Sequence, residues 1–80
     1  MINILKKRKQ VTVHYVTDLS QMLKKYRKES GMSQVEFARK ICVEQAQLSR
    51  YENGHAVPSI ETLVSICTVL KITAKDLLGV

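Results

Sequence analysis

The sequence predicts an all-α domain of five short helices behind a basic N-terminal leader. Three observations carry that prediction. Apolar residues recur at helical spacing, helix-start signals of the Ser/Thr-x-x-Glu kind come round several times, and glycine or proline separates the segments. A chain of 80 residues has room for one modest core. Its 45% apolar and 25% charged residues are ordinary for a globular fold.

The first helix is expected near 18–30. Asp18 is placed to cap it, with Gln21 three residues on, and Leu19, Met22, Leu23 and Tyr26 form an apolar stripe that Gly31 ends. The second, near 33–41, opens on a capping box of Ser33 and Glu36. Met32 and Phe37 stand where a hydrophobic staple needs them, and Ala38 and Ile41 extend the buried face. Val43 and Leu48 repeat the staple around a start near Glu44, giving a third helix at 44–53. Pro58-Ser59 opens a fourth at 59–71, with Ile60, Leu63, Val64, Cys67 and Leu70 as its apolar residues. Thr73 and Asp76, framed by Ile72 and Leu77, open a fifth at 73–79.

Between the second and third helices the chain has only enough residues for one tight turn. Two short helices joined that way form a helix-turn-helix, here about 33–53, whose second helix can enter a major groove. Topology alone suits a small helical bundle without a ligand equally well. The third helix itself is more informative. At about 100° per residue, Leu48 and Tyr51 share one side, and Ala46, Ser49, Arg50 and Asn53 share the other. Gln45 and Gln47 stand on its shoulders.

Amides, a hydroxyl and one arginine are unlike the mixed Lys/Glu surface of a helix that faces only water. They suit base edges: Gln pairs with adenine, Arg with guanine, Ala touches a thymine methyl, and Ser accepts several partners. Gln45, Ala46 and Gln47 are therefore expected deepest in the groove, with Ser49 and Arg50 a turn later. Asn53 and His55, leaving the helix, are expected at phosphates. Glu44 favours the positive end of the third helix over a cytosine contact.

The net charge of +6 is unevenly placed. Residues 1–17 hold four basic side chains and no acidic one, whereas residues 18–80 hold nine basic and seven acidic, a net of +2. That balance disfavours non-specific coating of DNA, which needs many phosphates neutralised. Lys24, Lys25, Lys28, Arg39 and Lys40 read mostly as a solvated face, with one or two of them at phosphate.

Other classes are excluded more simply. Apolar runs fall far short of the roughly 18 residues that cross a bilayer, so no membrane association is expected. The order of apolar residues then charge at the N-terminus reverses that of a signal peptide, so a cytosolic protein is expected. Cys42 and Cys67 lack CxxC spacing and read as buried free thiols, so neither a metal nor a cofactor is expected. No phosphate loop is present, and neither His14 nor His55 is placed to activate Ser49 or a cysteine, so no enzyme is expected.

Several segments match a known pattern in order. They are Gly31-Met32-Ser33-Gln34, Leu48-Ser49-Arg50-Tyr51-Glu52-Asn53-Gly54 and Pro58-Ser59-Ile60-Glu61-Thr62-Leu63. Together they resemble the Cro and lambda-repressor-like helix-turn-helix family, also called the xenobiotic-response-element family, over about residues 20–78. The resemblance implies a compact five-helix domain that binds palindromic operators in double-stranded DNA as a homodimer. It implies that Ser33 and Gln34 hold phosphate, and that Arg27 and Glu52 form a structural ion pair. The chain departs from the family at Cys42, where the turn usually has glycine.

The leader at 1–17 lies outside the resemblance. Val11, Val13 and Tyr15 alternate as in a short β-strand, which needs a partner: a second copy, or Ile2–Leu5 across a turn. Lys6 to Lys9 also suit an arm reaching DNA, and a merely solubilising leader is the simplest alternative. The leading expectation is a transcriptional repressor. An antitoxin whose leader holds a toxin protein, and a restriction–modification controller, are the alternatives.

Overall fold

The computed structural model describes residues 19–78. The Asp18 cap, the strand at 11–17, the basic cluster at 6–9 and the last two residues lie outside them. Five helices follow one another: α1 at 19–29, α2 Gln34–Lys40, α3 Gln45–Glu52, α4 Ile60–Leu70 and α5 Ala74–Leu78. α2 packs on α3, and α4 on α5.

The starts are set by side chains. Ser33 Oγ accepts from the Glu36 amide at 3.1 Å and Ser59 Oγ from the Thr62 amide at 3.2 Å. Thr73 and Asp76 cap each other: the Thr73 amide donates to Asp76 Oδ2 at 3.1 Å, and the Asp76 amide to Thr73 Oγ1 at 3.0 Å. Such caps satisfy amides that have no partner inside the helix, each worth about 1 kcal/mol. Glu44, at the start of α3, makes no side-chain cap bond.

Three helices end alike. After α2 the Val43 amide donates to Ala38 O at 3.0 Å and the Cys42 amide to Arg39 O at 3.2 Å. After α3 the His55 amide donates to Arg50 O and the Gly54 amide to Tyr51 O; after α4, Ile72 pairs with Cys67 O and Lys71 with Thr68 O. Each is a Schellman ending, which needs one left-handed residue. Here those residues are Cys42 (φ 61), Gly54 (φ 75) and Lys71 (φ 57). Cys42 thus adopts the conformation for which glycine is suited, and the turn keeps its shape without one.

Every helix supplies one fully buried side chain: Leu23, Phe37, Leu48, Ile66 and Leu77. Leu19, Ala38, Ile41 and Tyr51 complete the core, with Met32, Val43 and Ile72 packed at its edge where the staples predict. Burial of each large apolar side chain contributes about 1.5–3 kcal/mol.

Two sequence expectations are corrected. In α4 the buried residue is Ile66, while Ile60 is 79% and Val64 60% exposed. Val64 and Ile66 lie about 160° apart around the helix, so the core can hold only one of their faces. The cysteines also differ from expectation. Cys42 is exposed on the turn, beyond the last buried residue of α2, and Cys67 is half-buried on α4. Burial first, and then the Asp76 carboxylate, pushes the Cys67 thiol above its ordinary range.

Candidate nucleic-acid interface

The two helices of the helix-turn-helix are tied together from below and above. Below, Phe37, Ala38, Leu48 and Tyr51 share the core. Above, a chain of polar side chains crosses from α1 through α2 to the first residue of α3.

It begins at a buried ion pair. Arg27 Nε lies 2.6 Å from Glu52 Oε2 and Arg27 Nη2 donates to Glu52 Oε1 at 3.1 Å. The side chains are 10% and 1% exposed, so these charges are held largely without water. A carboxylate in that position needs its lone pairs filled. Gln34 Nε2 supplies a third donor, 3.0 Å from Glu52 Oε1. Arg27 Nη1 also donates to Met32 O at 2.9 Å, holding the residue just before the α2 cap. Among the described residues no buried side-chain nitrogen or oxygen lacks a partner.

From there Gln34 Oε1 accepts from Gln45 Nε2 at 3.5 Å, the long end of a hydrogen bond. The Gln45 side chain is thereby oriented by α2, leaving its own carbonyl oxygen as an acceptor. Gln45, Ala46 and Arg50 are exposed, and Gln47 and Ser49 half-buried. Ser49 Oγ accepts from Asn53 Nδ2 at 3.3 Å, one turn further on.

The residues assigned to phosphate lie at the rims. Ser33, Asn53 and His55 are exposed and Gln34 half-buried. The Ser33 hydroxyl accepts from the helix, so its own proton is still available to an anion. Around them Arg39, Lys40 and Arg50 are exposed cations, and Lys25 lies 5.5 Å from the Tyr26 ring centre. Sequence reasoning placed Gln34 at the backbone only. Its bridge to Glu52 and Gln45 spans 18 and 11 positions, and no local signal announces such a contact. Among the described residues no group of His, Cys, Asp and Glu could hold a metal ion. Nor is any helix among them long and apolar enough to cross a membrane.

Comparison with known proteins agrees with this geometry. Residues 23–77 match the HTH_3 helix-turn-helix family model. The antitoxin PezA of Streptococcus pneumoniae is 37% identical over 57 residues, 71% of this chain and 36% of the antitoxin, so the chain spans about a third of that relative. Two crystal structures of the clp gene regulator ClgR from Corynebacterium glutamicum superpose with a TM-score of 0.76 at 29% identity, covering 81% of this chain and 83% and 69% of the respective ClgR chains. An HTH_3 family transcriptional regulator from Vibrio cholerae gives 0.74 at 28% identity, over 84% of this chain and 38% of that one. The chain belongs to the HTH_3 helix-turn-helix family of DNA-binding transcription regulators.

Proposed function

We propose that the protein is a cytoplasmic repressor that binds a palindromic operator as a homodimer, with α3 in the major groove. Gln45, Ala46 and Gln47 read bases nearest the helix start, and Ser49 and Arg50 read a turn later. Ser33, Gln34, Asn53 and His55 hold phosphates on either side. The observation that supports this most is the contact in which Gln45 Nε2 donates to Gln34 Oε1 at 3.5 Å, because it leans a base-reading amide toward one orientation before DNA arrives. A preset side chain loses less freedom on binding, which favours selective over merely tight recognition.

Selection of bound fragments from random double-stranded DNA tests the proposal. The expected product is a short inverted repeat with half-sites about one helical turn apart. Recovery of fragments without a shared motif would reject specific recognition.

The identity to an antitoxin favours a second reading, in which the protein also neutralises a partner protein and regulates its own operon. That partner would be encoded beside it and would co-purify on co-expression. A protein that stays free of its neighbours' products, yet selects an inverted repeat, is a repressor alone.

A further inference from the structure

A stripe of exposed residues runs the length of α4. Ile60, Val64 and Thr68 follow one another at four-residue spacing, so they share one side of the helix. Ile60 is 79% and Val64 60% exposed, and Val57, 54% exposed, stands just before the helix. The stripe also lines a groove of about 350 Å³. The groove's Leu63, Cys67 and Ile72 already pack on the core, so the free apolar surface is the stripe itself. Exposed apolar side chains gathered on one side mark a surface that a partner covers. None of the residues assigned to DNA belongs to it.

We propose that the partner is a second copy of this chain, with the two α4 helices laid antiparallel across a two-fold axis. This rests on the homodimer reading above and names the face that joins the copies.

Charge selects both the copy and its direction. A two-fold axis sets a surface against itself, so a face rich in one charge repels its own copy. α1 exposes Lys24, Lys25 and Lys28 against Glu29 alone, and α2 ends on exposed Arg39 and Lys40. α4 has no basic residue from Ile60 to Leu70 and one acidic residue, Glu61, in its first turn. Exposed Lys71 follows its last residue. The face is thus negative at its start, neutral along its middle and positive at its end. Parallel copies would set like charges together. Antiparallel copies set each Glu61 beside Lys71 of the other copy. In that register Val64 of each copy lies level with Thr68 of the other, and Ile60 is set toward the end of the groove where Ile72 stands.

Size sets the strength of the pairing. The 11 residues of α4 are about 16 Å long, and one helix is roughly 10 Å wide, well short of the roughly 800 Å² that each partner gives to a standard interface. The free dimer is therefore weak. Two half-sites on one operator hold the copies side by side, and that raises their effective concentration enough to complete it.

Sedimentation equilibrium of the full-length chain, from about 10 µM to about 1 mM, reads the association. The parent is expected to pass from monomer toward dimer across that range. Ile60→Asp/Val64→Asp should stay monomeric, with its thermal melt little changed because neither side chain is buried. Glu61→Lys and Lys71→Glu should each raise the dissociation constant about tenfold, and together return it to near the parent value. A double charge variant no better than either single one would overturn the antiparallel pairing. A dimer that survives Ile60→Asp/Val64→Asp would overturn the proposed face and leave the homodimer reading standing. A parent monomeric over the whole range would overturn it as well, and if its selected fragments carry a single half-site the homodimer reading falls too.

Discussion

Arg27 of α1 and Glu52 at the end of α3 are joined by two hydrogen bonds, 2.6 and 3.1 Å long, although 25 positions separate them in the chain. The polar ties between α3 and the other helices meet at this pair, including Gln34 on the same carboxylate. Glu52→Ala is expected to lower unfolding stability by about 3–5 kcal/mol, because it strands a guanidinium in a mostly dry site. Adding Arg27→Met should return part of that loss, since the stranded charge is gone. Urea unfolding of the four proteins in the cycle measures it, and strictly additive losses would show that the pair is not coupled.

Recognition should depend on Gln34 as well as on Gln45. Gln45→Ala is expected to cost about 1–3 kcal/mol on the selected operator and much less on random DNA. Gln34→Ala should weaken the operator complex too, and the two losses together should fall short of their sum. Titrations at one fixed salt concentration check this. Equal losses on operator and random DNA would move Gln45 among the phosphate contacts.

Ser33 caps α2 and is proposed to hold phosphate, and one substitution should show both. Ser33→Ala removes the α2 cap, at a cost of about 1 kcal/mol in unfolding stability. It should also lower affinity for all DNA sequences alike, as the loss of a backbone contact does. An effect confined to the operator would contradict that assignment.

Cys42 holds a left-handed conformation that glycine adopts with less strain. Cys42→Gly should therefore raise stability, by up to about 1 kcal/mol after glycine's extra unfolded-state entropy is subtracted. Cys42→Val, β-branched in the same place, should lower it. Thermal melts of the three proteins order them, and a Val variant as stable as the Gly variant would refute the argument.

The Cys67 thiol gives a pH prediction. Its folded pKa is raised, first by burial and then by Asp76, so the neutral thiol is the form that the fold favours. The stability this adds is complete below the ordinary thiol range and is lost as pH rises through the higher folded value. Alkylation in the Cys42→Ser background should accordingly show its inflection above that range, and Asp76→Asn should move it down.

Much of this was legible beforehand. Ser33–Glu36 and Thr73–Asp76 announced two helix starts through spacings of three residues and Pro58-Ser59 a third, and the structure uses all three. The staples at Met32, Val43 and Ile72 were equally local. α4 was less legible because it is apolar on two sides, and periodicity cannot say which side the core takes. Cys42 misled in another way: it read as a buried thiol from its apolar neighbours, but it stands exposed in the turn that hydrogen bonds at 3.0 and 3.2 Å close. At the interface, the residue types of α3 suggested base reading, but the link through Gln34 depends on three helices meeting. Only the folded chain shows it.

The repeated ending of α2, α3 and α4 makes the joints of this domain stiff hinges of fixed length. Between Lys40 and Gln45 the chain has four residues, two of them locked by those bonds. One residue more or fewer would turn α3 by about 100° on its axis. Leu48 and Tyr51 would then turn off the core and the amides off the exposed face. The length of this joint is therefore as strict a requirement of the proposed recognition as any side chain assigned to a base.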